Sequence, residues 1–258
     1  MSPFTYAVTT PGTAFANDST TTTTEVTAAL DKADAKNGAL VATAAPSTTD
    51  GDSAAQTAAV DIPADPTKGI KLTDGGQTIT IGLPNASQGG KGAKNNKGVV
   101  AYSGRDGSAN AVVPADNGGV QFLTTIESKK APTKYDYPVT LPRGGKIVLL
   151  DGGAGAIVYD AQNQPLVAVA APWAKDANGK DVKTYFTTNG KKLTQHVAHK
   201  AQGVAYPLVA DPFWIPAWAV AQIIRCGFGG YLGYISAAGW DWWWRALAVV
   251  GGCLIGVR

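Results

Sequence analysis

Between Gly69 and Asp211, short runs of Val, Ile, Thr and Tyr alternate with Gly, Asn, Asp and Pro punctuation. Breaks at intervals of roughly 8 to 15 residues are the pattern of an all-β sandwich or barrel. In TITIGL, Thr78 to Leu83, clean alternation sends Ile79, Ile81 and Leu83 to one face. KIVLL, Lys146 to Leu150, is apolar on both faces and is therefore expected to be a central strand. AIVYD and PLVAVA are separated only by Ala161 to Gln164, a hairpin-length break. The Asn-Gly pairs in DANGKD (Asp176 to Asp181) and TTNGKK (Thr187 to Lys192) mark tight turns, because both residues tolerate positive φ.

The flanks have other textures. From Asn17 to about Lys68 the chain is rich in Thr, Ala, Asp and Pro and has no aromatic residue. Such a stretch buries too little apolar surface to offset its ordering entropy, so a disordered linker is expected, with a weak helix over Val26 to Val41. The fold class these textures imply is mainly β. An antiparallel β-sandwich-like module (69–212) is preceded by a disordered linker (17–68) and followed by a short α-helical hairpin tail (213–258).

That tail is charge-poor. From Phe213 to Val257 only Arg225, Asp241 and Arg245 are charged, and six of the seven tryptophans fall here: Trp214, Trp218, Trp240, Trp242, Trp243 and Trp244. Ile215 to Arg225 is expected to form a first short helix, with Pro216 in its first turn. A reversal at Gly239 lays two helical arms side by side and brings Cys226 opposite Cys253. Gly229, Gly233 and Ala237 on one arm, and Ala248, Gly252 and Gly256 on the other, recur every fourth residue and permit close helix packing. Asp241 and Arg245 stand at i and i+4, acid first. Trp240, Trp243, Trp244 and Leu247 then share a broad apolar face, and Trp242 adds a further ring for contact with a membrane interface.

Glycine in a helix interior costs about 1 kcal/mol per site, so the first arm is a poor helix in water. It is a better one where lipid or a partner penalises unpaired backbone groups. A Cys226–Cys253 bridge closes a loop of 28 residues, worth roughly 3 kcal/mol in a chain-entropy model. Each arm of about 13 residues is roughly 20 Å long as helix. A membrane span needs about 20 residues, so neither arm crosses alone. Three settings suit such a segment: a membrane surface, the β-domain, against which it packs as ordinary core, or a partner protein.

Composition narrows the partners. The 258 residues carry a net charge of +3, and only 16% are charged. No Lys/Arg stripe interleaves with aromatics, which argues against nucleic acid. Two cysteines suggest a disulfide if the protein is exported and two thiols if it is not. MSPFTYAVTTPGTAFA ends in Ala14-Phe15-Ala16, the small-x-small pattern of a leader cleavage site, without a charged start or a long apolar core. Residues 1–16 are therefore read as the remnant of a signal peptide, with an ordinary floppy terminus as the alternative.

The stretches GGVQFLTTIESKKAPTKYDYPVTLPRGGK, AAPWAKDANGKDV and LTQHVAHKAQGVAYPLVADPFW resemble a β-rich module of secreted actinobacterial proteins. Its signature is Tyr-Pro-x-x-x-Asp-Pro, here Tyr206 to Pro212. Such modules precede RHS/YD-repeat regions or short variable C-terminal pieces with two cysteines. The resemblance spans roughly Gly69 to Trp214 and implies export, a β-fold and a non-catalytic display role. YD repeats are absent, so it does not extend to a large toxin cage.

Candidate chemistry is sparse. His196 and His199 in QHVAH invite a metal, but on a strand residues three apart face opposite sides. Asp176 and Asp181 bracket a turn and lack the twelve-residue calcium loop. GGKGAKNNKG, Gly89 to Gly98, lacks the phosphate-loop spacing and is expected to be a long mobile loop. Ser103 sits in no nucleophile elbow. No cofactor or metal site is expected, and no enzyme. The expected function is a secreted or cell-envelope protein whose disulfide-closed tail is membrane-active, in the manner of a bacteriocin. The rivals are a structural or adhesive envelope protein using the tail as an anchor, and a hydrolase hidden on the β-module. The partner expected is a membrane or cell-envelope surface, with a homo-oligomer left open.

Overall fold

A computed structural model of the chain describes residues 21–37, 41, 59–74, 76–115, 119–153 and 155–216. One helix, α1 (Thr23–Asn37), precedes the strands. These are β1 (Ala59–Asp61), β2 (Ile70–Asp74), β3 (Gln77–Ile81), β4 (Ala93–Lys94), β5 (Val100–Tyr102), β6 (Ser108–Pro114), β7 (Val120–Ile126) and β8 (Lys134–Thr140). They continue as β9 (Lys146–Leu149), β10 (Gly155–Tyr159), β11 (Pro165–Ala170), β12 (Trp173–Lys175), β13 (Thr184–Thr188), β14 (Lys192–Val197), β15 (Leu208–Asp211) and β16 (Phe213–Pro216).

Two antiparallel sheets result. The smaller runs β1-β2-β3-β8-β14-β13, and the larger β4-β5-β6-β7-β16-β11-β10-β9, with β12 and β15 completing it beside β7. Their inner faces share one core. Ile79, Ile81 and Leu83 enter it together, as the alternation predicts, with Tyr135, Tyr137 and Leu193 from the same side. The larger sheet supplies Val112, Phe122, Val158, Val169 and Trp214. Phe122 meets Tyr137 edge-on at 6.0 Å and Trp214 at 5.8 Å, a geometry that suits aromatic quadrupoles.

The expected turns form. Asp160 N–H donates to Gln164 O at 3.0 Å, and the Asp160 carboxylate accepts from Gln162 N and Gln164 N. This closes the β10–β11 hairpin. Both Asn-Gly pairs are turns, but in each only the glycine takes a positive φ, Gly179 at 80° and Gly190 at 88°.

Four expectations change. KIVLL is not central: β9 is the outermost strand of its sheet, with Ile147 buried but Val148 and Leu149 exposed. Within the Gly89–Gly98 stretch, Ala93 and Lys94 pair with Ala101 and Val100 as edge strand β4, and the Asn95 carboxamide caps the turn by accepting from Lys97 N and Val99 N.

The 17–68 stretch, expected to be a disordered linker, contains α1 and β1. Its helix begins earlier than the Val26 expected. Thr22 Oγ1 accepts from Glu25 N while the Glu25 carboxylate accepts from Thr22 N at 2.7 Å, a reciprocal cap. Val26 and Leu30, with Ala29 buried between them, form a narrow stripe, and the first two pack against Val99, Ala101, Ala111, Val113, Leu123 and Val209 on the outer face of the larger sheet. Burying Val26 and Leu30 is worth about 1.5–3 kcal/mol each. The sheet thus supplies the apolar partner that the polar segment lacks.

Finally, the first helix expected from Ile215, in a tail expected to start at Phe213, does not begin there. Phe213–Pro216 is β16, paired on both edges, and Trp214 is fully buried in the core. Alternation explains this: one tryptophan in a strand points wholly inward, whatever the composition of the residues after it.

Candidate functional site

The site of interest is where the chain leaves the module. Along one edge of β7, two successive strands share the pairing: β15 through Leu208, Val209 and Ala210, then β16 through Phe213 and Trp214. Between them Pro212 has no N–H to offer, and its carbonyl accepts from Phe122 N at 3.0 Å. On its other edge the pair forks, β15 to β12 and β16 to β11. Asp211 stands at the fork. Its Oδ1 accepts from Trp173 N at 3.2 Å, and its Oδ2 lies 3.5 Å from Gln121 Nε2. The carboxyl is fully buried, and burial pushes its pKa well above the usual carboxylate range, against those donors.

The other half of the signature ties down the approach to β15. Tyr206-Pro207 is a cis peptide. The Tyr206 hydroxyl donates to His199 O at 2.7 Å and lies 2.9 Å from His199 Nδ1. His199 Nε2 is 2.8 Å from Pro132 O; a carbonyl only accepts, so the ring proton sits on Nε2. Burial lowers the pKa of this imidazole and favours its neutral form, against the carbonyl contact at Nε2, which favours the charged one. Asp176 Oδ1 accepts from Asn178 N and Lys180 N, and its Oδ2 from Ala205 N at 3.2 Å. Burial alone would raise the Asp176 carboxyl; the backbone donors from Lys180, Ala205 and Asn178 outweigh it and hold the group below the usual range.

The candidate chemistry residues are thereby placed apart. His199 lies in the turn after β14 rather than on the strand. His196, on β14, stacks on Tyr185 at 4.5 Å and contacts Thr187 Oγ1 at 2.8 Å. Asp181 pairs with the buried Lys175 ammonium at 2.6 Å, while Asp176 serves its turn. Ser103 comes directly after β5, its carbonyl accepting from Gly90 N. Among the described residues no group of three His, Cys, Asp or Glu side chains could hold a metal. Nor, among them, is any helix long and apolar enough to cross a membrane. Cys226, Cys253, Trp240, Trp242, Trp243, Trp244, Leu247, Gly229, Gly233, Ala237, Ala248, Gly252 and Gly256 lie outside the described residues. Sequence reasoning places Asp211 and Tyr206 in the signature but assigns them no role. The Asp-Pro pair is the available signal, since a proline in a sheet interior needs a bulge or break.

Fold and fork together define a two-sheet, β-sandwich-like module whose last described strand is held on both edges within the larger sheet. Comparison with family models, with curated proteins and with solved structures finds no match to this chain.

Proposed function

We propose that the chain is a secreted, non-enzymatic protein whose β-module presents residues 217–258 to a membrane, as a bacteriocin-like protein does. The observation that carries this reading is the rooting of β16. A segment attached to a strand paired on both edges starts from a fixed point that does not fray like a free terminus. Residues 217–258 are charge-poor and dense in Trp and Gly, a composition suited to the membrane interface. A Cys226–Cys253 bridge closes the segment, Trp240, Trp242, Trp243, Trp244 and Leu247 meet lipid, and the small residues from Gly229 to Ala237 and Ala248 to Gly256 pack arm on arm. The module's His199, Asp176 and Asp211 are occupied with backbone and side-chain partners of their own, which supports a scaffold role.

The test is dye release from anionic vesicles on addition of the full-length protein, oxidised and reduced. Release is expected, stronger for the oxidised form. Binding without release would recast the segment as an envelope anchor, and neither binding nor release would end the membrane reading.

A further inference from the structure

Alternation along β16 sends Trp214 into the core and Phe213 and Ile215 to the opposite, outer face of the larger sheet. There Ile215 pairs with Ala168, Ala168 with Ile157, and Ile157 with Val148, so one apolar row crosses β16, β11, β10 and β9. An outer row on a sandwich is normally polar. This one is apolar throughout, and most of it is closed to solvent: Ile157 is 3% exposed, Ala168 8% and Ile215 9%, while Val148 at the rim is 39% exposed. The only α-helix among the described residues, α1, packs on the other half of this face, over β5, β6, β7 and β15.

We propose that this row is the docking site for residues 217–258 of the same chain, which rest on it until a target is met. Three observations select that occupant. The described chain ends at Pro216, one residue past Ile215 of this row, so the segment is tethered beside it with no linker to span. The segment is itself apolar, with Arg225, Asp241, Arg245 and Arg258 as its only charges. The widths agree: four strands about 4.8 Å apart make a strip roughly 14 Å across, and a helix with side chains is about 10–12 Å thick. One arm of the hairpin fits the strip. Docking also explains KIVLL, apolar on both faces yet at the sheet's edge: its outer side belongs to this row. It deepens the membrane reading by naming where the segment waits, and depends on that reading only for the fate of the segment once released.

The test places a photo-crosslinking benzoylphenylalanine at Val148, already partly exposed, in the full-length chain, with a control at Thr140, exposed on the smaller sheet. Irradiation in dilute, lipid-free buffer should give an intrachain adduct at Val148 that maps to residues 217–258, several-fold above the Thr140 control. Adducts between two chains, adducts only to lipid when vesicles are present, or yields equal to the control would each overturn the docking. Vesicle release is read separately. A leaking protein with no adduct loses the docking site alone, and an adduct with neither vesicle binding nor leakage loses the membrane reading alone.

Discussion

Replacing Asp211 with Asn tests the fork at its centre. The carboxyl is buried, no salt bridge seen among the described residues involves it, and it accepts from the Trp173 backbone N–H at 3.2 Å, the Gln121 amide at 3.5 Å and the Trp173 side chain. Burial therefore raises its folded pKa. A raised acid contributes stability that is fully present below its unfolded value, near 3.9, and is lost as pH rises through the folded value. Asp211→Asn keeps an oxygen for Trp173 N–H and has no proton to lose. The variant should match the native chain to within about 1 kcal/mol in acid, with Gln121 turning its amide to suit the new group. It should then gain on it by up to about 1.4 kcal/mol per pH unit as pH rises toward the folded value. Urea melts between pH 4.5 and 8, monitored by circular dichroism, measure the difference. Two stability curves that stay parallel over this range would refute the buried neutral acid. Asp211→Ala, which strands the Trp173 N–H, should lose about 1–3 kcal/mol even in acid.

Three further outcomes rest on the same contacts. Trp214→Ala should cost about 3–5 kcal/mol in urea melts. Trp214→Phe should cost less, because Trp214 Nε1 is buried with no hydrogen-bond partner among the described residues, so only ring volume is lost. Tyr206→Phe removes the hydroxyl shared by His199 O and Nδ1 and should lose about 0.5–1.5 kcal/mol by the same measurement. His199 has a lowered folded pKa, so its contribution is present above the unfolded value near 6.5 and fades as pH falls through the folded one; His199→Gln should flatten that acid-side decline.

Much of the module is legible in the sequence, because alternation in Thr78–Leu83 and turn chemistry at Asp160–Gln164 act locally. The features that are not legible depend on neighbours. Lys146–Leu149 announces burial on both faces, but not whether a strand or some other element covers each face, so edge and centre look alike. Thr22 and Glu25 spell a capping box inside a Thr-rich run, yet Val26 and Leu30 stabilise a helix only because Leu123 and Val209 lie beneath them. Composition groups Trp214 with the tryptophans of the tail; only the pairing of Phe213 with Gln121 and Trp214 with Val120 shows that it belongs to the core. At the fork, Asp211 and Trp173 are far apart in sequence, and no local pattern links them.

The central claim is that membrane affinity resides in residues 217–258 and that the module is their passive carrier. Co-flotation with anionic vesicles, comparing the full chain with one that stops after Pro216, tests it most directly. The full chain should rise with the lipid while the shortened chain remains below it in the gradient. If the two chains distribute identically, whether floating or not, the claim is contradicted.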